Sequence, residues 1–72
     1  MKKTIQIYHN NELVGTRNTA RDYKVAVLVR WNGGKWRIEA CSTTMSGAES
    51  AVRTADKWYH HEAEFAITTD LR

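Results

Sequence analysis

Between Tyr23 and Thr43 apolar and polar residues alternate on both sides of a glycine-bearing turn, a pattern that admits little besides a β-hairpin. Tyr23, Val25, Val27, Val29 and Trp31 fall on one side of the first strand, with Lys24, Ala26, Leu28 and Arg30 on the other. Beyond Asn32-Gly33-Gly34, Trp36, Ile38 and Ala40 alternate with Lys35, Arg37, Glu39 and Cys41. Pairing register tests the hairpin. A Gly33-Gly34 loop sets Trp31 opposite Trp36, Val29 opposite Ile38 and Val27 opposite Ala40. An Asn32-Gly33 loop sets Val29 opposite Trp36 and Val27 opposite Ile38. Both keep apolar against apolar, whereas a three-residue loop in regular pairing sets valines against arginine and glutamate unless a bulge intervenes. A two-residue turn is therefore expected.

The flanking segments are shorter signals of the same kind. Residues 1–9 place Ile5 and Ile7 on one side of a strand and Gln6 and Tyr8 on the other. Asn10-Asn11 marks a tight turn, because asparagine tolerates a left-handed backbone. Residues 12–17 return as a weaker strand, since Gly15 offers no side chain to pack, and residues 18–22 read as a loop. Ser46 and Glu49 have capping-box spacing. After them Ala48, Ala51, Val52, Ala55, Trp58 and Tyr59 recur at helical steps and form one apolar stripe. In residues 62–71, Ala63, Phe65 and Ile67 alternate with Glu62, Glu64, Ala66 and Thr68, as a last strand does. Its neighbour in the sheet stays open at this point.

The order β-β-β-β-α-β, with a weak second strand, predicts one α+β domain over residues 1–72. Its architecture is an antiparallel sheet of four or five strands with one helix packed on one face. A chain of 72 residues buries only about 60% of its unfolded surface, near the lower limit for one core. Its single cysteine excludes an internal disulfide and fits a reducing compartment. Met1-Lys2-Lys3 is followed by alternation rather than an apolar run, so no secretory signal is read. Nor does any apolar stretch reach the roughly 20 residues of a membrane span. A cytoplasmic location is expected.

One helix covers one face, which leaves the other to Lys24, Ala26, Leu28, Arg30, Lys35, Arg37, Glu39, Cys41 and Thr43, joined by Gln6 and Tyr8. In either two-residue register Arg30 opposes another cation, Arg37 or Lys35. Such like-charge pairing mildly destabilises a sheet, and a chain that keeps it is expected to use the positive field to attract an anionic surface, phosphate or carboxylate. The competing reading is an ordinary solvated face, neutralised by Glu62 and Glu64 if the last strand lies beside the hairpin. The residues expected to meet a partner are Lys24, Arg30, Lys35, Arg37, Leu28 and Tyr8.

Catalytic and metal chemistry find little support. His60-His61 are adjacent, about 100° apart on a helix, and lack the i,i+4 spacing of a helical zinc pair. They suit the negative end of the helix dipole. Cys41 has neither a Cys-x-x-Cys partner nor an adjacent base. No enzyme activity, cofactor or metal is expected. A net charge of +3 is mild for a dedicated nucleic-acid binder.

In size and architecture such a chain resembles the small accessory proteins of phages and mobile elements, including inhibitors of host defence such as anti-CRISPR proteins. The resemblance implies a non-catalytic module that blocks a larger protein or protein–nucleic acid complex sterically. Its basicity departs from the acidic DNA-mimic type. The alternative is direct binding of nucleic-acid phosphates by the same basic face. Self-pairing through an edge strand is compatible with both.

Overall fold

A computed structural model of the chain describes residues 2–72. Met1, the first residue of the expected first strand, lies outside the described residues. Strands β1 (Lys3–His9) and β2 (Glu12–Thr19) form an antiparallel ribbon turning at Asn10 and Asn11, whose φ angles are 53° and 63°. Strands β3 (Val25–Arg30) and β4 (Arg37–Ser42) form the central hairpin. Helix α1 (Met45–Trp58) follows, then β5 (Glu64–Thr68), which returns antiparallel to β3. The element order and the α+β class are those expected. The strands, however, divide into a two-stranded sheet β1-β2 and a three-stranded sheet β4-β3-β5, where one sheet of four or five was expected.

This division changes what is buried. Val25, Ala26, Val27, Leu28 and Val29 are all buried, so β3 is covered on both sides. On one side Val25 and Val27 pack with Ala48 of α1, joined by Phe65, Ile67, Ala40, Ala51 and Val52. On the other, Ala26 and Leu28 pack with Ile7 of the ribbon, joined by Val14, Trp36, Ile38 and Ala66. The face expected to be bare and basic lies beneath the ribbon. Three layers result: helix, three-stranded sheet, two-stranded ribbon.

The ribbon is also tied by backbone. After β5 the chain bends so that Arg72 N–H donates to Gln6 O at 2.7 Å, while the amides of Gln6 and Tyr8 donate to Arg72 O and Asp70 O. Residues 70–72 thus extend β1 on the side away from β2. The buried Thr68 hydroxyl adds a bond to Tyr8 O at 2.6 Å. β2 and β4, each at an edge of its own sheet, approach each other at Gly15, where an added Cβ would stand 2.9 Å from Ile38 Cδ1. The glycine that weakened β2 in the sequence is what admits Ile38.

The central hairpin departs from both regular registers. Asn32 (φ 53°) and Gly33 (φ 69°) make the turn, closed by Gly34 N–H to Trp31 O at 2.9 Å. Gly34, Lys35 and Trp36 then leave the ladder, and pairing resumes at Val29↔Arg37 and Leu28↔Ile38. This is the unfavoured valine-against-arginine register. A bulge at Glu39 corrects it, so that Val27 meets Ala40 and not the glutamate. Because one extra residue reverses every later side chain, Ile38 faces the ribbon while Ala40 faces the helix.

Two details of α1 also differ from expectation. Its N-cap is Thr44, whose hydroxyl accepts from Gly47 N–H at 3.1 Å, and its first turn holds no acid, so the Ser46–Glu49 box does not form. Trp58 is 76% exposed. The stripe facing the sheet runs from buried Ala48 and Ala55 through half-buried Val52 and Tyr59, and Trp58 lies about 100° off Tyr59. His60 and His61 end the helix with φ of 54° and 61°, and His61 Nδ1 lies 2.5 Å from Asp56 Oδ2.

Candidate functional site

The six residues expected to form one surface are scattered by this fold. Leu28 is fully buried against Ile7 and has no surface to offer. Lys24 sits at the far end of β3, where it and Lys3 flank Asp22 at 3.0 and 3.2 Å. These two ammonium groups, Lys24 foremost, hold the Asp22 carboxyl below its usual range. Tyr8 is half-buried in the ribbon with the Arg72 guanidinium 4.0 Å above its ring. Arg37 shares the side of its register partner Val29, which faces the helix, while Arg30, one residue along, points to the ribbon side. The two arginines therefore occupy opposite sides of the sheet, and a common basic face does not form.

Arg30 is also largely satisfied. Its Nε donates to Glu64 Oε2 at 3.0 Å across the β3–β5 pair, and its Cζ stands 4.2 Å from the centroid of the Trp36 ring. The neutralisation expected of the last strand is realised at Arg30, through Glu64, because β5 lies beside β3, while Glu62 enters no ion pair among the described residues.

What the fold does assemble is one end of the molecule. The β1–β2 turn and the β3–β4 turn stand next to each other and enclose a cleft of about 640 Å³. Its floor is Trp36, held by Arg30 on its face and by the His9 ring edge-on, with centroids 5.5 Å apart. Leu13, 52% exposed, and Val14 form an aliphatic shelf on one wall, with Glu12 at its rim and Lys35 on the other wall. The unladdered segment 34–36 is the ridge. On its far side Lys35 and Arg37 border a shallow hollow with Trp31, which is 40% exposed and edge-on to Tyr59 at 5.1 Å. Tyr59 is anchored by its hydroxyl, which donates to Glu39 Oε2 at 3.0 Å.

This end combines exposed apolar side chains with cations that enter no ion pair among the described residues, Lys35 and Arg37. The alternation places Trp31 and Trp36 on the core face and Leu13 or Val14 facing inward; Trp36 is indeed half-buried against the Leu28 cluster, whereas Trp31 and Leu13 are exposed. The available signal was the turn itself: a residue that flanks a positive-φ turn and leaves the ladder cannot be buried by strand pairing.

Among the described residues no three His, Cys, Asp or Glu side chains converge as a metal site would require. Burial pushes the Cys41 thiol up against the opposing charge of Arg17, so burial favours the weakly nucleophilic protonated form. No described helix is long and apolar enough to cross a membrane. No protein-family model matches the chain, and no curated protein or solved structure matches it either.

Proposed function

We propose that the protein is a small non-catalytic binding module that docks on a larger protein, or a protein–nucleic acid complex, through the end where its two hairpins turn. The observation that carries this reading is the gathering there of Leu13, Trp31 and Trp36 with Lys35 and Arg37 around the cleft between the turns. Centres of protein interfaces are enriched in tryptophan and arginine, and their energy concentrates in a few such side chains. Elsewhere the cations are dispersed: Lys24 is at the opposite end, and Arg53 and Lys57 are on the exposed face of α1. Such scatter suits a protein partner better than a continuous phosphate track. Occupying a surface of a cytoplasmic complex, as a steric inhibitor of the kind phages and mobile elements encode, is the simplest use of so small a chain.

Nucleic-acid binding stays the second reading, because tryptophans beside cations also stack bases and hold phosphates. One paired experiment separates the two. Immobilised protein is offered a lysate of its native cell, with bound proteins identified, and labelled duplex and single-stranded oligonucleotides at two salt concentrations. Capture of one defined protein that survives raised salt and is lost with Leu13→Ala/Trp31→Ala supports docking. Retention of oligonucleotides alone, weakening steeply with salt, overturns it in favour of the second reading.

A further inference from the structure

From the cleft and its ridge we infer that this end recognises an extended protein segment in which an apolar side chain stands beside acidic ones. The inference rests on the docking reading above and names its partner's chemistry. The apolar side chain lies on the shelf of Leu13 and Val14, and the acidic residues cross the ridge to Lys35 and Arg37.

Three observations select this occupant. Charge comes first: Lys35 and Arg37 are exposed and without acid partners among the described residues, whereas Arg30 already has Glu64. A partner gains most by bringing carboxylates to those two. The position of Glu12 is the second. It stands at the rim beside the aliphatic shelf, where it repels a phosphate running along the cleft but tolerates an aliphatic side chain. A nucleic-acid strand would have to pass this acid, and the Trp36 face it would stack on is covered by Arg30. Backbone is the third. Lys35 and Trp36 lie outside the β3–β4 ladder, so the ridge presents main-chain groups to an extended segment, as strand-adding sites do.

The test uses the full chain and short labelled peptides, read by fluorescence anisotropy. One peptide carries leucine flanked by aspartates. A second replaces the aspartates with lysines, and a third replaces the leucine with serine. A single-stranded oligonucleotide of similar length is the fourth probe. Saturable binding of the first peptide is expected, with the other two peptides weaker by about tenfold or more, the scale of a lost charge pair or apolar anchor. Lys35→Glu/Arg37→Glu should weaken the first peptide by about the same factor and bring the lysine peptide up. Leu13→Ser should weaken the leucine peptide and leave the serine peptide unchanged. Both variants alter exposed side chains, and circular dichroism verifies their fold. Equal binding of the three peptides, or an oligonucleotide that binds more tightly than the first, overturns the inference. If a protein is captured through Leu13 and Trp31 while no acidic peptide binds, docking stands and this account of its partner falls.

Discussion

Thr44 and Ser46 compete for the start of α1, and geometry decides between them. The Thr44 backbone is extended, with φ −134° and ψ 156°, and its hydroxyl holds the Gly47 amide, while Ser46 already lies inside the helix. Gly47 lies close to the Ser42 and Thr44 hydroxyls, and an added Cβ would have to displace the Ser42 side chain. Replacing Thr44 by alanine should cost about 1 kcal/mol of unfolding free energy, the usual worth of such a cap. Ser46→Ala should stay within about 0.5 kcal/mol; urea titrations of both variants decide it. Tyr59 carries a second prediction. Its hydrogen bond to Glu39, reinforced by partial burial and by the glutamate's charge, pushes the phenol above the ordinary value of 10.0. A group raised on folding stabilises fully below its unfolded pKa and loses that stabilisation as pH climbs through the folded one. Above pH 10.0 the thermal midpoint of the native chain should thus fall more steeply than that of Tyr59→Phe. Tyrosinate absorbance should show one late-titrating phenol that this variant lacks. Equal slopes would show that the contact does not form in solution.

The central hairpin shows how far periodicity alone can be read. Its existence, its turn residues and the apolar character of β3 are all legible, because alternation and an Asn-Gly turn are local properties. The bulge is not. Nothing in Arg37-Ile38-Glu39-Ala40 marks Glu39 as the extra residue, yet its insertion sends Ile38 to the ribbon and keeps Ala40 on the helix. The loss of the common basic face follows from that irregularity and from the unladdered residues 34–36. A signal for the covered second face was present in Val25-Ala26-Val27-Leu28-Val29, an unbroken apolar run of the kind doubly buried strands show. Strict alternation puts Ala26 and Leu28 on one open face with Lys24 and Arg30, but those cations lie at the strand's ends. Deleting Glu39 tests the bulge. Without it one half of β4 must turn its side chains to the wrong layer, so the deletion should abolish cooperative unfolding. Glu39→Ala, which keeps the residue count, should only shift the transition. A deletion variant as stable as the substitution would mean that the bulge is dispensable.

The whole arrangement turns on the ribbon that roofs the three-stranded sheet, and Leu28 and Ile7 carry that contact together. Both are fully buried, and they belong to one cluster although one comes from β3 and the other from β1. Without the ribbon, Leu28 would face water and Leu28→Ala would change stability by no more than about 0.5 kcal/mol. In the three-layer fold it empties a packed site and should cost about 2–5 kcal/mol, as should Ile7→Ala. That is a large share of what so small a domain possesses, so the measurement needs a stabilising osmolyte or low temperature. The double variant discriminates further. Side chains that share one cavity are not additive, so the pair should cost less than the sum of the singles by about 0.5 kcal/mol or more. Strict additivity would mean that β1 and β3 do not meet. The same packing sets the two hairpin turns side by side, since Ile7 lies two residues from the β1–β2 turn's first flank, His9, and Leu28 lies two from Arg30. The cleft between Leu13 and Lys35 is therefore a product of this interlayer contact. Ile7→Ala should loosen the edge-on His9–Trp36 pair before it unfolds the chain, visible as a change in Trp36 fluorescence at temperatures below the transition, in a Trp31→Phe/Trp58→Phe background.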